Sequence, residues 1–280
     1  MKMPSHENAD VLFFAPPIDP SDHDTQRPLH KSHPAVPKPG MQLSGPPPSE
    51  TALREQLTQV CHRLYERGLI AAGDGNVSCR LGEDRVLVTP SGFHKGFIKP
   101  EELIVTDLTG RRKRGEHAPS SEFMMHALCY SERPDVGAVV HAHPPIAVAL
   151  ALAGESLSEP VLSESCLVLG PVLTAPYSTP TTDEVPRVLR PYVRQANAIV
   201  MHRHGALSVG RTLHEAWHRM ETLEHSAKII HAARLLGPII PIGAAQAAQL
   251  EQLARRIGIP RAPDPCTLAG IPTPPAREAQ

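Results

Sequence analysis

Two histidines separated by one residue end an apolar run of the sequence, Val139-Val140-His141-Ala142-His143-Pro144-Pro145. The run predicts a buried strand, and because side chains alternate along a strand, His141 and His143 point to the same side. The prolines directly behind the pair end the strand. Two imidazoles held side by side at the end of a rigid element predict a metal site, because imidazole nitrogen is a common metal ligand.

A third donor is offered by Ala198-Ile199-Val200-Met201-His202-Arg203-His204-Gly205, where a second apolar run ends in a His-x-His pair. Gly205 permits the tight turn that brings the tip of a strand against a ligand. The spacing leaves both His202 and His204 open as the third ligand. A single histidine at a strand end is usually a surface or hydrogen-bonding residue, but two such pairs favour a metal site.

A carboxylate partner is offered by Pro119-Ser120-Ser121-Glu122, at the start of a helix predicted over residues 122–130. The free N–H groups and the positive dipole end of that helix favour an anion, and the two hydroxyls predict a small phosphate cradle that Glu122 borders. The alternative is that the serines only cap the helix and that Glu122 complements its dipole. Two further loops suit an anion, Gly73-Asp74-Gly75-Asn76 and Thr89-Pro90-Ser91-Gly92.

The elements that must position these residues alternate in type. Periodicity predicts helices over residues 53–67, 122–130, 146–153 and 213–236, and strands over residues 76–80, 85–89, 104–107, 136–141, 168–175 and 198–202. The series of elements contains neither a regular βαβ repeat nor a G-x-G-x-x-G turn. The sequence therefore predicts an α/β fold with a mixed sheet covered by helices rather than a dinucleotide-binding fold.

Composition limits the classes of partner. The 280 residues are 41% hydrophobic with a net charge of −1 and a pI near 7.0, so no charge bias indicates nucleic acid or membrane as a partner. No apolar run is long enough for a membrane span and no secretory signal is evident, so we expect a cytoplasmic protein. The five cysteines are scattered and never spaced C-x-x-C, which argues against a disulfide framework and against a thiolate zinc site.

Proline predicts the domain limits. Eleven of the 31 prolines fall within residues 1–48, so we expect a disordered leader over residues 1–49, one catalytic domain over 50–255 and a proline-rich tail over 256–280. The apolar patch of residues 11–14 is either a docking motif for a partner or incidental. Within the last long helix, His214, His218, Glu221 and His225 share one face, as a second metal stripe or as a polar face or subunit contact.

Several of these motifs occur together, in an order that resembles the class II aldolase and adducin family. The matching motifs are Gly75-Asn76-Val77-Ser78, Thr89-Pro90-Ser91-Gly92, Pro119-Ser120-Ser121-Glu122, Arg133-Pro134-Asp135-Val136, His141-Ala142-His143 and His204-Gly205. The resemblance covers residues 50–235. It implies a three-layer α/β/α fold with a central, largely antiparallel mixed sheet, and a homotetramer with active sites at subunit interfaces.

The resemblance also implies roles for individual residues. His141, His143 and His204 would bind Zn²⁺, or another divalent transition metal, and Glu122 would be the catalytic acid/base. The substrate-binding residues would be Gly75, Asn76, Ser91, Gly92, Ser120 and Ser121. The implied activity is the cleavage of a ketose 1-phosphate of the L-fuculose 1-phosphate kind to dihydroxyacetone phosphate and a small aldehyde. The alternatives are a sugar-phosphate epimerase, dehydratase or decarboxylase on the same scaffold, or a non-catalytic adducin-like domain.

Overall fold

The computed structural model describes residues 48–265, so the apolar patch of residues 11–14 and most of the predicted leader and tail lie outside the described residues. The strands are β1 (Asn76–Arg80), β2 (Val86–Val88), β3 (Ile104–Thr106), β4 (Arg112–Arg114), β5 (Ala138–Ala142), β6 (Val172–Ala175), β7 (Ala198–Met201) and β8 (Gly205–Gly210). The helices are α1 (Glu50–Glu66), α2 (Phe123–Glu132), α3 (Pro145–Leu152), α4 (Ser163–Val168), α5 (Glu184–Val193), α6 (Leu213–Leu236) and α7 (Ala244–Arg256).

The strands form one mixed sheet with the order β4-β3-β2-β1-β5-β8-β7-β6. Every neighbouring pair is antiparallel except β6 and β7, which are parallel. The predicted α/β fold with a largely antiparallel central sheet is confirmed. Strand β5, which carries the first histidine pair, lies near the middle of the sheet, where neighbours on both sides hold it rigidly.

Helices cover both faces of the sheet, and the alternation of side chains along the strands separates two hydrophobic cores. Val140 packs into the core under α1, α3 and α6, whereas its neighbour Val139 packs into the core under α2 and α5. His141, two residues after Val139, therefore points to the face that α2 covers. The three layers thus bring His141 and the start of α2 to the same side of the sheet.

Two sequence predictions differ from the fold. The strand predicted over residues 168–175 is wrong in its first half, because α4 ends at Val168 and β6 begins only at Val172. Gly170, with a φ of +69°, turns the chain between them in a conformation that glycine adopts without strain. The sequence analysis also missed β4, β8, α4, α5 and α7. Helix α5 was hidden by Pro186 and by Pro191 near its end, since proline normally argues against a helix interior.

Residues 257–264, at the start of the predicted tail, bond to the domain. Arg261 donates to the carbonyl oxygens of Cys166 and Leu167 at 2.9 and 2.8 Å, and Asn197 donates to that of Pro260 at 3.1 Å. The four cysteines within the described range, Cys61, Cys79, Cys129 and Cys166, are free and buried. Over residues 48–265, no helix combines the length and the apolar character that a membrane span requires.

Candidate metal centre

Three histidines converge at one end of the paired strands β5 and β8. His141 lies on β5, His143 follows that strand directly, and His204 precedes β8 in the turn after β7. The end of β5 lies opposite the start of β8, with Ala142 beside Ala206. Each histidine offers one ligand atom, and the three atoms lie within 4.8 Å of one another. Among residues 48–265 this is the one group of three or more donors with such spacing.

The ring positions fit a shared metal ion. The Nε2 atoms of His141 and His143 face each other at 3.2 Å, and two nitrogens bound to one tetrahedral zinc lie about 3.3 Å apart. His141 Nδ1 lies 3.0 Å from the carbonyl oxygen of Ala206, so that nitrogen carries the proton and Nε2 keeps its lone pair. His204 Nδ1 is buried without a hydrogen-bond partner. The site therefore contains imidazole nitrogens that need a partner, and a divalent cation is one.

Electrostatics keep one of these rings in the form that binds metal. Burial, followed by the charges of His141 and His204, holds the pKa of His143 below its usual range. His143 Nδ1 lies 3.5 Å from a carboxylate oxygen of Asp74, which orients the ring. A neutral imidazole is the ligand form, since protonation would occupy the lone pair.

Gly205 is required by the close approach of the strands. A Cβ at this position would lie 2.6 Å from the Ala142 carbonyl oxygen, 2.6 Å from His143 Cδ2 and 2.9 Å from His141 Cε1. These distances are shorter than any that real Cβ atoms tolerate. The glycine after the second histidine pair therefore leaves room for the other two rings.

The turn between β7 and β8 brings His204, and not His202, to the group. Arg203 adopts a φ of +61°, and the His204 amide donates to the Met201 carbonyl at 3.1 Å, which closes the turn. His202 instead extends the pairing of β7 with β6, since its amide donates to the carbonyl of Ala175 at 3.0 Å. The ambiguity that spacing left open is thus removed by the turn.

Glu122 lies against two of the histidines at the start of α2. Its Oε1 is 3.1 Å from His204 Nε2, its Oε2 is 3.3 Å from His141 Nε2, and Asn76 Nδ2 donates to Oε2 at 2.9 Å. Burial alone would raise the pKa of Glu122, but the adjacent His141 and His204 outweigh it and hold the pKa well below the usual range. The side chain is therefore an ionised carboxylate at neutral pH, beside the position that a metal would take.

The predicted anion loops lie side by side next to this carboxylate. The Ser91 amide donates to the Ala118 carbonyl at 3.0 Å and the Ser120 amide donates to the Thr89 carbonyl at 3.2 Å, which joins the two serine-containing loops. Ser91, Gly92 and Ser121 are exposed, as an external ligand requires, whereas Ser120 is nearly buried and its hydroxyl accepts from the Glu122 amide at 3.3 Å.

The third loop also meets the site. Gly75 has a φ of +68°, and a Cβ there would lie 2.8 Å from the His141 carbonyl oxygen, so the backbone passes close to the histidine strand only because the residue is glycine. Lys95 is buried and donates to the Gly73 carbonyl at 2.7 Å, which anchors the start of this loop. His94, by contrast, packs against Tyr65 and Phe97.

The structure adds residues that the sequence analysis did not select. Behind Asn76, buried hydrogen bonds join His126, Ser78 and Tyr130. Glu122, His126 and Tyr130 are spaced i, i+4 and i+8 on α2, and this spacing was the available signal. It was masked because the helix otherwise reads as uniformly apolar.

A cleft of about 160 Å³ also borders Glu122, lined on its far side by residues 181–183 before α5.

The histidine stripe on α6 has a different character. The rings of His214 and His218 contact each other at a tilt of 53°, with 3.7 Å between their centroids, and Glu221 forms an ion pair with Arg67 at 3.0 Å. None of these residues belongs to a metal-capable group among the described residues. The geometry therefore favours the interpretation of this stripe as a polar helix face.

Comparison with known proteins identifies a family and several relatives that are similar to this chain. Residues 55–231 match the family described as Class II Aldolase and Adducin N-terminal domain. A 3-oxo-tetronate 4-phosphate decarboxylase of Haemophilus influenzae is 31% identical over 185 residues, which is 65% of this chain and 88% of that protein. An L-fuculose phosphate aldolase of Methanococcus vannielii is 30% identical over 177 residues, 63% of this chain and 94% of that protein.

A solved structure is similar as well. The L-fuculose-1-phosphate aldolase of Thermus thermophilus superposes with a TM-score of 0.58 at 34% identity, covering 67% of this chain and 98% of that one. The similarity thus extends from the sequence motifs to the arrangement of the sheet and its helices.

Proposed function

Because the chain belongs to the class II aldolase and adducin family, whose lyase chemistry its relatives share, we propose that it is a zinc-dependent aldolase acting on a ketose 1-phosphate. The products would be dihydroxyacetone phosphate and a small aldehyde. The observation that carries the proposal is the convergence of three imidazoles on one point, with the ionised carboxylate of Glu122 in contact with two of them.

His141, His143 and His204 are the residues that would hold the ion. Three neutral ligands leave a zinc its full positive charge and an open coordination position, so when bound it supplies Lewis-acid stabilisation of negative charge on the substrate oxygens. The family retains a divalent metal, and the choice of zinc over Mn²⁺, Co²⁺ or Fe²⁺ is part of the proposal.

Glu122 is the group that moves the proton. In cleavage its carboxylate takes the proton of the C4 hydroxyl, the C3–C4 bond breaks, and its electron pair stays on C3 in conjugation with the C2 carbonyl as an enediolate. The aldehyde leaves, and return of the proton to C3 gives dihydroxyacetone phosphate. Its contacts with His141 and His204 place this carboxylate beside the position of the metal, within reach of a substrate hydroxyl bound there, as a general base requires.

The loops beside Glu122 would hold the substrate. Each proposed member offers a hydroxyl group, an amide group or a stretch of backbone that a substrate could approach closely. The members are Gly75, Asn76, Ser91, Gly92, Ser120 and Ser121. Binding a phosphate far from the bond being broken supplies energy that fixes the reacting carbons in place. The homotetramer implied by the resemblance and a cytoplasmic location, which the free cysteines fit, complete the proposal.

A decarboxylase is the second candidate, and the Haemophilus influenzae relative favours it. Loss of carbon dioxide from a four-carbon 3-oxo acid 4-phosphate leaves the same three-carbon enediolate that aldol cleavage leaves. The same histidines, phosphate loops and proton donor therefore serve both reactions. The two differ in the leaving group, which is carbon dioxide in one and an aldehyde in the other.

The test is a metal analysis followed by a substrate panel. We expect about one zinc per chain, and release of dihydroxyacetone phosphate from at least one ketose 1-phosphate, read directly with an NADH-coupled reductase. If the protein releases carbon dioxide from a 3-oxo-tetronate 4-phosphate and cleaves no ketose 1-phosphate, the proposed activity is a decarboxylase and not an aldolase. No turnover of either class by zinc-loaded protein would refute both.

Three variants test the proposed roles of individual residues. Glu122→Gln is expected to keep the metal and to lose turnover by at least about 100-fold, as removal of a general base does. His141→Ala is expected to lose the metal, whereas His202→Ala, its matched control in the neighbouring turn, is expected to keep it. Equal metal loss in both histidine variants would require a different ligand set.

A further inference from the structure

A chain of buried polar groups runs from the interior of α2 to Glu122. The Tyr130 hydroxyl lies 2.7 Å from Ser78 Oγ, and Ser78 Oγ lies 2.7 Å from His126 Nδ1. His126 Nε2 lies 2.5 Å from Asn76 Oδ1, and Asn76 Nδ2 lies 2.9 Å from Glu122 Oε2. Ser78 and His126 are fully buried and Asn76 and Tyr130 nearly so.

Two arrangements run in a single direction along the whole chain, and a third, in which Ser78 accepts from both neighbours, would leave the buried Ser78 proton without an acceptor. In the first, Tyr130 donates to Ser78, Ser78 donates to His126 Nδ1, His126 Nε2 donates to the Asn76 carbonyl, and the Asn76 amide group donates to Glu122. In the second, every donor is reversed and Asn76 is flipped, so that its carbonyl oxygen faces Glu122. A neutral histidine has one protonated ring nitrogen, so the tautomer of His126 reveals the direction of the hydrogen bonds along the chain.

The closed end at Tyr130 decides between the two. Within residues 48–265, Ser78 is the hydrogen-bond partner that the Tyr130 hydroxyl has. In the second direction Ser78 would donate to Tyr130, and the buried Tyr130 proton would have no acceptor. A buried donor without a partner is strongly unfavourable, which favours the first direction.

Burial agrees with this assignment. It lowers the pKa of His126 to about 3, so the ring is neutral throughout the physiological range and carries a single proton. Burial also raises the pKa of Tyr130 well above its usual range, so its hydroxyl stays a donor. The two ends of the chain are thus a fixed donor, Tyr130, and an acceptor, the Glu122 carboxylate.

We propose that His126, held as its Nε2–H tautomer by Ser78 and Tyr130, is a positioning residue that locks the Asn76 amide group toward Glu122. This inference rests on the proposed function for its kinetic consequence, because it assigns to Glu122 a fixed carboxylate orientation during proton transfer. An asparagine side chain is nearly symmetric in shape, so packing alone does not choose its orientation. With the wrong orientation, a carbonyl oxygen would face the carboxylate at hydrogen-bond distance and displace it from the histidines.

The first experiment reads the tautomer and needs no substrate. In zinc-loaded protein labelled with ¹⁵N-histidine, two-bond ¹H–¹⁵N correlations distinguish the two neutral tautomers and the imidazolium, and the signals of His126 are identified by their loss in His126→Gln. We expect the Nε2–H tautomer from pH 6 to pH 8. A Nδ1–H tautomer or an imidazolium in that range would overturn the proposal.

The second experiment reads the consequence for catalysis. His126→Leu removes the donor to Asn76, and we expect kcat to fall about 10- to 100-fold with KM and zinc content unchanged, since misplacement of a catalytic group by about 1 Å costs that much. His126→Gln restores a side-chain N–H at about the place of Nε2, and we expect kcat within about threefold of the wild-type value. Ser208→Ala, which removes another buried hydroxyl, one that bonds to the Ala216 carbonyl at 2.7 Å, is the matched control with unchanged kcat.

The outcomes separate this inference from the proposed function. If the wild-type protein cleaves no substrate of the panel, the proposed function fails while the tautomer still decides the direction of the chain. If it is active and His126→Leu keeps its kcat, or loses only substrate affinity, the positioning role is wrong. Should His126→Leu not fold, Ser78→Ala leaves the ring in place and frees its tautomer. We then expect a mixed tautomer and a kcat about 3- to 10-fold lower, and a pure Nε2–H signal with unchanged kcat would refute the role.

Discussion

Substitution of Gly205 by alanine tests whether the metal site depends on the close approach of two strands. The added methyl would lie 2.6 Å from both the Ala142 carbonyl oxygen and His143 Cδ2, whereas ordinary contacts begin near 3.4 Å. Relief of both contacts requires shifts of about 0.5–1 Å, and overpacking of this kind costs about 1–3 kcal/mol. Because the ring of His143 must move by a similar amount, we expect zinc affinity to fall about 10- to 100-fold, as for other changes that disturb ligand orientation.

The assay is a competition titration of metal-free protein with a chromophoric zinc chelator, combined with urea unfolding of the same samples. Gly73→Ala is the matched control, since a Cβ at Gly73 meets nothing within 4 Å and the backbone there is not in the left-handed region. We expect this control to keep wild-type zinc affinity and stability. The reasoning is refuted if Gly205→Ala binds zinc within about threefold of the wild-type protein.

Three further outcomes follow from buried polar groups. Glu224 accepts from the amides of Ile146 and Ala147 at 3.1 Å and thereby ties α6 to the start of α3, so Glu224→Ala should lower the free energy of unfolding by about 1–3 kcal/mol in urea titrations, with no loss contradicting this capping role. Arg133 is buried and donates to Asp135 through two bonds of 2.8 and 2.7 Å, so Arg133→Met should cost about 3 kcal/mol by the same measurement, and a cost below about 1 kcal/mol would contradict it. The folded pKa of His126, about 3, lies below its unfolded value near 6.5, so the unfolded chain binds the proton first and stability is lost as the pH falls below about 6.5, by about 1.4 kcal/mol per pH unit. Urea titrations from pH 7 to pH 5 should therefore show a shallower loss for His126→Gln than for the wild-type protein, and parallel curves would contradict a buried neutral ring.

Much of the site could be predicted because its residues sit where local pattern is strongest. His141 and His143 end an apolar strand, and that strand is central in the sheet. Glu122 stands one residue before the first turn of α2, where the capping pattern placed it. The anion loops were predicted from their glycine and serine residues, because the backbone freedom of glycine and the hydroxyl group of serine are evident from the residue type alone.

Other features depend on contacts between distant segments and have no local signal. His202 and His204 are equivalent by spacing, and only the left-handed conformation of Arg203 in the turn separates them. Helix α4 was missed and its last residue, Val168, was assigned to a strand, because the apolar residues on both sides of Gly170 resemble a strand. His126 lies on α2 and its partners Ser78 and Asn76 lie on β1, 48 and 50 positions away in the sequence, so no window could join them.

The central claim is that His141, His143 and His204 bind one divalent metal ion beside Glu122. The most direct test is a crystal of the zinc-loaded protein measured on both sides of the zinc absorption edge. The account predicts one anomalous peak per chain, about 2.0–2.1 Å from one nitrogen of each of the three rings. A peak at any other group of residues, or none in protein that is active, would contradict it.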